Sequence, residues 1–348
     1  MTGEDQEIQE LDVSRLIEKL TDGEDLDADE AEAVFDRFMT GMATEIQMAA
    51  VLVALRAKGV SPTEVAGGVR ALRKAMVPVE ASDPGALVDT AGTGGGALTT
   101  FNISTAAALV AAGAGVRIAK HGNRSFTSRS GSADVLEALG VRIDLTPERM
   151  GEVLEEAGIV FMFAPLLHPA MRHVGPVRRG LGVGTVMNIL GPLTNPAGAR
   201  RQVIGVADPR ILGLVARALA ELEHTRALVV HGVAGLDELS PVGPTRVAEL
   251  GEGGLREYQT SPEELGLTEV SAQGLAGGEP EENAETIRRV LAGEECAPRT
   301  ATLLNAAAAI YVADQVSTLA EGVTRATTVI DDGRAREALE RLRQATTR

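Results

Sequence analysis

The chain has 348 residues, 44% of them hydrophobic and 24% charged, enough for two modest globular domains or one large one with a satellite. A formal net charge of −16 opposes a nucleic-acid partner, which needs a basic surface, and no apolar run reaches the roughly 18–20 residues of a membrane span. A single cysteine, Cys296, and a polar, acidic stretch over residues 1–10, the reverse of a signal peptide, make the cytoplasm the expected setting.

From Asp12 to Met76 the pattern is helical. Asp27–Glu30 and Ser61–Glu64 have the spacing of capping boxes, the second with Pro62 at the first helical position. Between them Thr44 opens a helix whose apolar stripe runs through Met48, Val51, Leu52 and Leu55 to a stop at Gly59. Four helices with no strand between them predict a small α-helical domain.

The texture changes at residues 78–84. Strand candidates then follow at Leu87–Thr90, Val116–Lys120, Ile159–Phe163, Gln202–Val206 and Ala227–His231. They alternate with helix candidates at Ser104–Ala112, Ser132–Leu139, Pro147–Ala157 and Pro209–Glu221. This alternation predicts an α/β domain with a mostly parallel central sheet covered by helices. Residues 170–195 read as short helical pieces that rejoin the first domain. Thr245–Tyr258 reads as two strands across a Gly251–Gly254 turn, and 283–346 is helical again. The expected domains are therefore 11–80 with about 168–195, helical, and 81–167 with 196–348, α/β.

Four segments carry chemistry. In the first, Asp89 to Gly96, glycines after a strand let backbone N–H groups turn inward around an anion. Downstream, Asn102 to Thr105 opens an Ala-rich helix whose free N–H groups favour phosphate. As a dinucleotide fingerprint this segment fails, because the next strand ends in Lys120 and His121 where an acid should hold a ribose diol. It also lacks the Gly-Lys-Ser/Thr of a nucleotide-triphosphate loop. The second segment, Lys120 to Ser132, packs cations and hydroxyls between a strand and a helix. The chain has only four lysines, and one placed here suits a phosphate oxygen.

The third, Asn188 to Pro196, is a rigid Gly/Pro turn of the kind that walls a flat aromatic ligand. Cationic groups precede it at His168, Arg172, His173, Arg178 and Arg179. The fourth, His231 to Ser240, places Asp237 and Glu238 in a loop beyond an apolar strand, which suits a magnesium ion bridging phosphates. No histidine pair has the spacing of a zinc site.

In this order the segments resemble the anthranilate phosphoribosyltransferase family, which has the nucleoside phosphorylase/phosphoribosyltransferase fold. The resemblance runs from about residue 12 to the C-terminus. It implies a helical domain that mediates homodimerisation and an α/β domain that binds phosphoribosyl pyrophosphate. Gly92, Gly95, Gly96, Thr100, Asn102, Ile103, Ser104, Thr105, Lys120, His121, Gly122, Asn123, Ser128 and Ser132 would hold that substrate. Ser104, Asp237 and Glu238 would ligate Mg2+, partly through water. Gly92, Asn123, His168, Arg178 and Pro192 would contact anthranilate. No general base is evident, His121 and His168 being the candidates. One position departs from the family, which has aspartate where this chain has Gly96.

Two other readings compete. A pyrimidine nucleoside phosphorylase shares the glycine loop but should lack the Asp237–Glu238 pair and the 191–196 turn. A silent relative that binds nucleic acid would need a basic face, which the charge denies.

Overall fold

A computed structural model describes residues 12–125 and 129–348, which fall into two compact units. The chain begins with four helices, α1 (Val13–Thr21), α2 (Ala28–Thr40), α3 (Glu45–Lys58) and α4 (Pro62–Ala75). The caps read from sequence are present. Asp27 and Glu30 close a reciprocal box on α2, and Thr44 and Gln47 close one on α3. Glu64 accepts the N–H groups of Ser61 and Leu26. Buried Phe35, Phe38, Val51, Leu52 and Leu55 form the interior of this unit.

Then come β1 (Leu87–Gly92), α5 (Ile103–Gly113), β2 (Arg117–Gly122), α6 (Ser132–Ala138), α7 (Pro147–Ala157), β3 (Ile159–Phe163) and the single turn α8 (Ala164–Leu167). Helices α9 (Met171–Leu181) and α10 (Met187–Leu190) return to the first unit. The remainder is β4 (Arg201–Gly205), α11 (Leu212–Glu221), β5 (Arg226–Gly232), the hairpin β6 (Thr245–Gly251) and β7 (Gly254–Thr260), and α12 to α15 (Pro280–Leu291, Ala297–Val312, Leu319–Asp331, Arg334–Thr347). The helix expected from Pro209 starts later, because Pro209–Ile211 winds as a separate 3-10 turn.

The return to the first unit is shorter than residues 168–195. It spans Ala170–Leu190, which leaves His168, Pro192 and Asn195 in the second unit. Local bonds explain the boundary. Leu167 and Pro196 accept the N–H groups of Val77 and Val79, and Asn195 is bonded into the sheet.

The seven strands lie in the order β3-β2-β1-β4-β5-β6-β7. Strands β1 to β5 pair in parallel, whereas β6 and β7 are antiparallel. The chain runs outward from β1 to β3, then crosses back to β4 on the other side of β1. Such a reversal opens a crevice at the carboxyl ends of the strands. The segments after β1, β2 and β5 all emerge there.

Candidate active site

The loop after β1 is built by glycine. Gly94 and Gly95 have φ of 68° and 81°, the left-handed region where a Cβ is costly. Three of the loop's N–H groups are committed to protein. Thr93 donates to Gly205 O, Gly94 to Asp237 Oδ2 at 3.0 Å, and Ala97 to Gly235 O. Those of Gly95 and Gly96 have no acceptor among the described residues, so they remain for an anion. Gly96 is glycine for another reason. A Cβ there would stand 2.9 Å from Gly235 O and 3.2 Å from Asp237 Oδ1.

Lys120 is 4% exposed. Its ammonium donates to Thr90 O at 2.5 Å, and to Thr90 Oγ1 and Ser104 Oγ at 3.2 Å. Burial pushes its pKa down, opposed by the charges of Asp89 and Glu238. Glu238 accepts the Ser104 N–H at the start of α5, and burial with the neighbouring Asp237 holds its carboxyl well above the usual range. Burial likewise raises Asp237, offset by its backbone bonds, the Gly94 N–H among them. Lys120, Ser104, Glu238 and Asp237 thus form one cluster of opposed charges at the ends of β1, β2 and β5.

The cluster fits a magnesium ion. Among the described residues no three His, Cys, Asp or Glu side chains converge as a closed cage. Two carboxylates and a hydroxyl offer hard oxygen donors, and magnesium ordinarily completes such a set with water and phosphate.

A second polar group surrounds Asp89, which is fully buried. Its Oδ1 accepts the His121 N–H at 3.1 Å. Its Oδ2 accepts Asn195 Nδ2 at 2.8 Å and Gln202 Nε2 at 3.3 Å. Burial raises its pKa; Asn195, Lys120, the His121 N–H and Gln202 pull it back. His121 and His168 approach Nε2 to Nε2 at 3.2 Å. Burial, then the charges of His168 and Lys120, hold His121 down at about 3, against a bond to the Gly191 carbonyl; burial lowers His168 to about 4. Both rings are neutral at pH 7.

The remaining candidates of the second unit frame these groups. Asn102 caps α5 and is held by Ser130 and Asn283. Thr100 bridges to Ala276, and Ile103 and Thr105 are buried in the first turn of α5. Asn123 turns back on Arg124, its carbonyl accepting Ser132 Oγ at 3.3 Å. Gly122 packs near Ser132 Oγ, and Gly92 ends β1 against the Asp237 carboxylate. Pro192 O accepts Gln202 Nε2. Arg178 alone belongs to the first unit, in the last turn of α9, where burial lowers its pKa. Ser128 lies outside the described residues.

Asp89 and Thr90 head the first motif but carry no role in the sequence reading, and Gln202 lies outside every motif. Their signal was a polar residue inside an apolar strand, where burial demands a partner.

The family model described as "Glycosyl transferase family, helical bundle domain" matches residues 14–76, and "Glycosyl transferase family, a/b domain" matches 84–336. The anthranilate phosphoribosyltransferase of Symbiobacterium thermophilum is 50% identical over 333 residues, covering 96% of this chain and 97% of its own. That of Rubrobacter xylanophilus is 53% identical over 326 residues, covering 93% and 95%. The crystal structure of the Thermus thermophilus enzyme superposes with a TM-score of 0.90 at 47% identity, over 95% of this chain and 99% of that one. The Saccharomyces cerevisiae enzyme in complex with PRPP and Mg gives 0.87 at 27% identity, over 96% and 98%.

Proposed function

The chain belongs to the anthranilate phosphoribosyltransferase family, and from that premise we propose that it transfers the phosphoribosyl group of phosphoribosyl pyrophosphate to the amine of anthranilate, a step of tryptophan biosynthesis. The observation that carries this reading is the cluster of Lys120, Ser104, Asp237 and Glu238 beside the glycine loop. In the reaction the amine nitrogen bonds to the anomeric carbon, the carbon–oxygen bond to pyrophosphate breaks, and the nitrogen sheds a proton.

Ser104, Asp237 and Glu238 would hold magnesium, partly through water. The ion, when bound, neutralises charge that grows on the leaving pyrophosphate. The free N–H groups of Gly95 and Gly96 supply fixed dipoles for the phosphates. Lys120 holds the start of α5 against β1 through Ser104 and Thr90 and adds its charge beneath the site. Anthranilate is a weak nucleophile, so orientation outweighs base strength. Asn123, His168 and Pro192 orient its ring, and the Arg178 guanidinium pairs with its carboxylate.

The proposed setting is a cytoplasmic homodimer that binds no nucleic acid. No helix among the described residues is long and apolar enough to cross a membrane. Support for self-association is the exposed apolar set of Met42, before α3, with Ile46 and Val53, two turns apart on it, exposed by 69%, 82% and 44%. Incubation with anthranilate, phosphoribosyl pyrophosphate and magnesium tests the activity. Loss of anthranilate fluorescence that needs all three components is the expected result; no loss overturns the reading.

A further inference from the structure

Successive side chains of a strand point to opposite faces, and on β1 and β2 this alternation sorts the polar residues into two sets. Thr90 and Lys120 share one face, bonded to each other and to Ser104. Asp89 and His121 occupy the other, where Asn195, Gln202 and His168 gather. Gln202 is the register partner of Asp89 on β4, so the two side chains stand together.

Each donor to Asp89 has a second engagement on that same side. Asn195 Nδ2 also donates to Ala119 O at 2.8 Å, and Gln202 Nε2 to Pro192 O at 3.0 Å. The His121 ring meets the Gly191 carbonyl and His168. The Lys120 ammonium gives its own bonds to Thr90 and Ser104 and reaches Asp89 only as a charge at a distance. One buried carboxylate therefore ties together His121 and the 191–196 turn, and no hydrogen bond links it to the opposite set.

We infer that Asp89 is a positioning residue chiefly for the aromatic substrate, setting the Pro192 turn and, through the His121 ring, His168, while Thr90, Lys120 and Ser104 serve the phosphoribosyl side. The inference rests on the function proposed above. Asparagine at this position keeps the shape but turns one acceptor oxygen into a donor facing donors. The turn and the His121 backbone must then move apart or leave a buried N–H unpaired.

The test is the Michaelis constant of each substrate for Asp89→Asn. That for anthranilate should rise roughly tenfold, while that for phosphoribosyl pyrophosphate stays within about twofold. Gln202→Met, similar in shape but without a donor, should give a smaller rise with the same selectivity, and it guards against an Asp89 variant that does not fold. Histidine side-chain nitrogen signals, recorded without substrate, should shift for His121 and His168 in Asp89→Asn. Equal rises for both substrates at an unchanged melting temperature, or a rise for phosphoribosyl pyrophosphate alone, overturn the inference. So do unaltered Michaelis constants in both variants. If the wild-type protein consumed no anthranilate, the functional reading would fall by itself. The histidine signals would then decide whether Asp89 orders this face, and unmoved signals would reject that too.

Discussion

Asp237 Oδ2 accepts the N–H of Gly94 at 3.0 Å, across 143 positions of sequence. A side chain placed to ligate a cation is thus also the clasp of the glycine loop. Asp237→Asn retains an oxygen for that bond, whereas Asp237→Ala does not. Alanine should raise the Michaelis constant for phosphoribosyl pyrophosphate about tenfold above asparagine's, the worth of one hydrogen bond to a charged group. The double change Asp237→Asn with Glu238→Gln should keep the fold and remove most magnesium-dependent activity. Unchanged rates across a magnesium titration would assign the pair to structure alone.

Arg178→Ala should raise the Michaelis constant for anthranilate far more than that for phosphoribosyl pyrophosphate. A guanidinium paired with a carboxylate contributes about 1.5–3 kcal/mol, hence roughly ten- to hundredfold. Steady-state kinetics with each substrate varied in turn gives the answer, and equal losses would exclude Arg178 as the anchor.

The histidine pair makes stability depend on pH. His121 and His168 titrate at about 3 and about 4 when folded, against 6.5 for a free histidine. Between pH 6.5 and 4 the unfolded chain therefore binds more protons, and stability falls as pH falls through that window. Lys120, beside His121, adds a positive charge that opposes protonation further. Urea unfolding should show a loss on the order of 3 kcal/mol for each ring across that window. His168→Gln should flatten the slope; a slope identical to wild type would place its origin in the carboxylates.

Much of this was legible from residue order. Glycines after β1, the acid pair after β5 and the capped helices of the first unit are local signals, each read within a few residues. Lys120 shows where such reading ends. The sequence puts it at the end of a strand, where it suits a phosphate oxygen, but that its ammonium meets Thr90 and Ser104 follows only from the pairing of β1 with β2. Asp89, Asn195 and Gln202 meet only through the order of β1, β2 and β4. No window of sequence contains that order. The 168–195 boundary slipped for a similar reason, because the bonds that hold His168 and Asn195 come from distant strands.

Gly96→Ala addresses the position where the family has aspartate. Its φ is not in the left-handed region, so the constraint is contact with Gly235 O and the Asp237 carboxylate. A methyl group there must push backbone, at a cost of about 1–3 kcal/mol. Weaker binding of phosphoribosyl pyrophosphate and a lower melting temperature are expected together. A melting temperature equal to wild type would show that the loop yields freely.

Ile46→Glu tests the proposed dimer. The side chain is exposed, so the substitution should spare the fold while placing charge in the apolar set. Sedimentation should move from dimer to monomer at micromolar concentration. A monomeric wild type, or a dimeric variant, would remove α3 from the interface.

The discontinuous first unit has a consequence during synthesis. Helices α1 to α4 end at Ala75, but their remaining partners, α9 and α10, begin after Pro169. At roughly 5–20 residues per second, a ribosome takes on the order of five to twenty seconds to cover the intervening stretch. Throughout that interval Gly68 and Phe35 wait for Leu190, which closes over them in the finished unit, and the nascent helices present an unfilled apolar face. The N-terminal segment is thus made first yet completed only when residue 190 has been added, and until then its open face is accessible to chaperones or to neighbouring ribosomes on the same message.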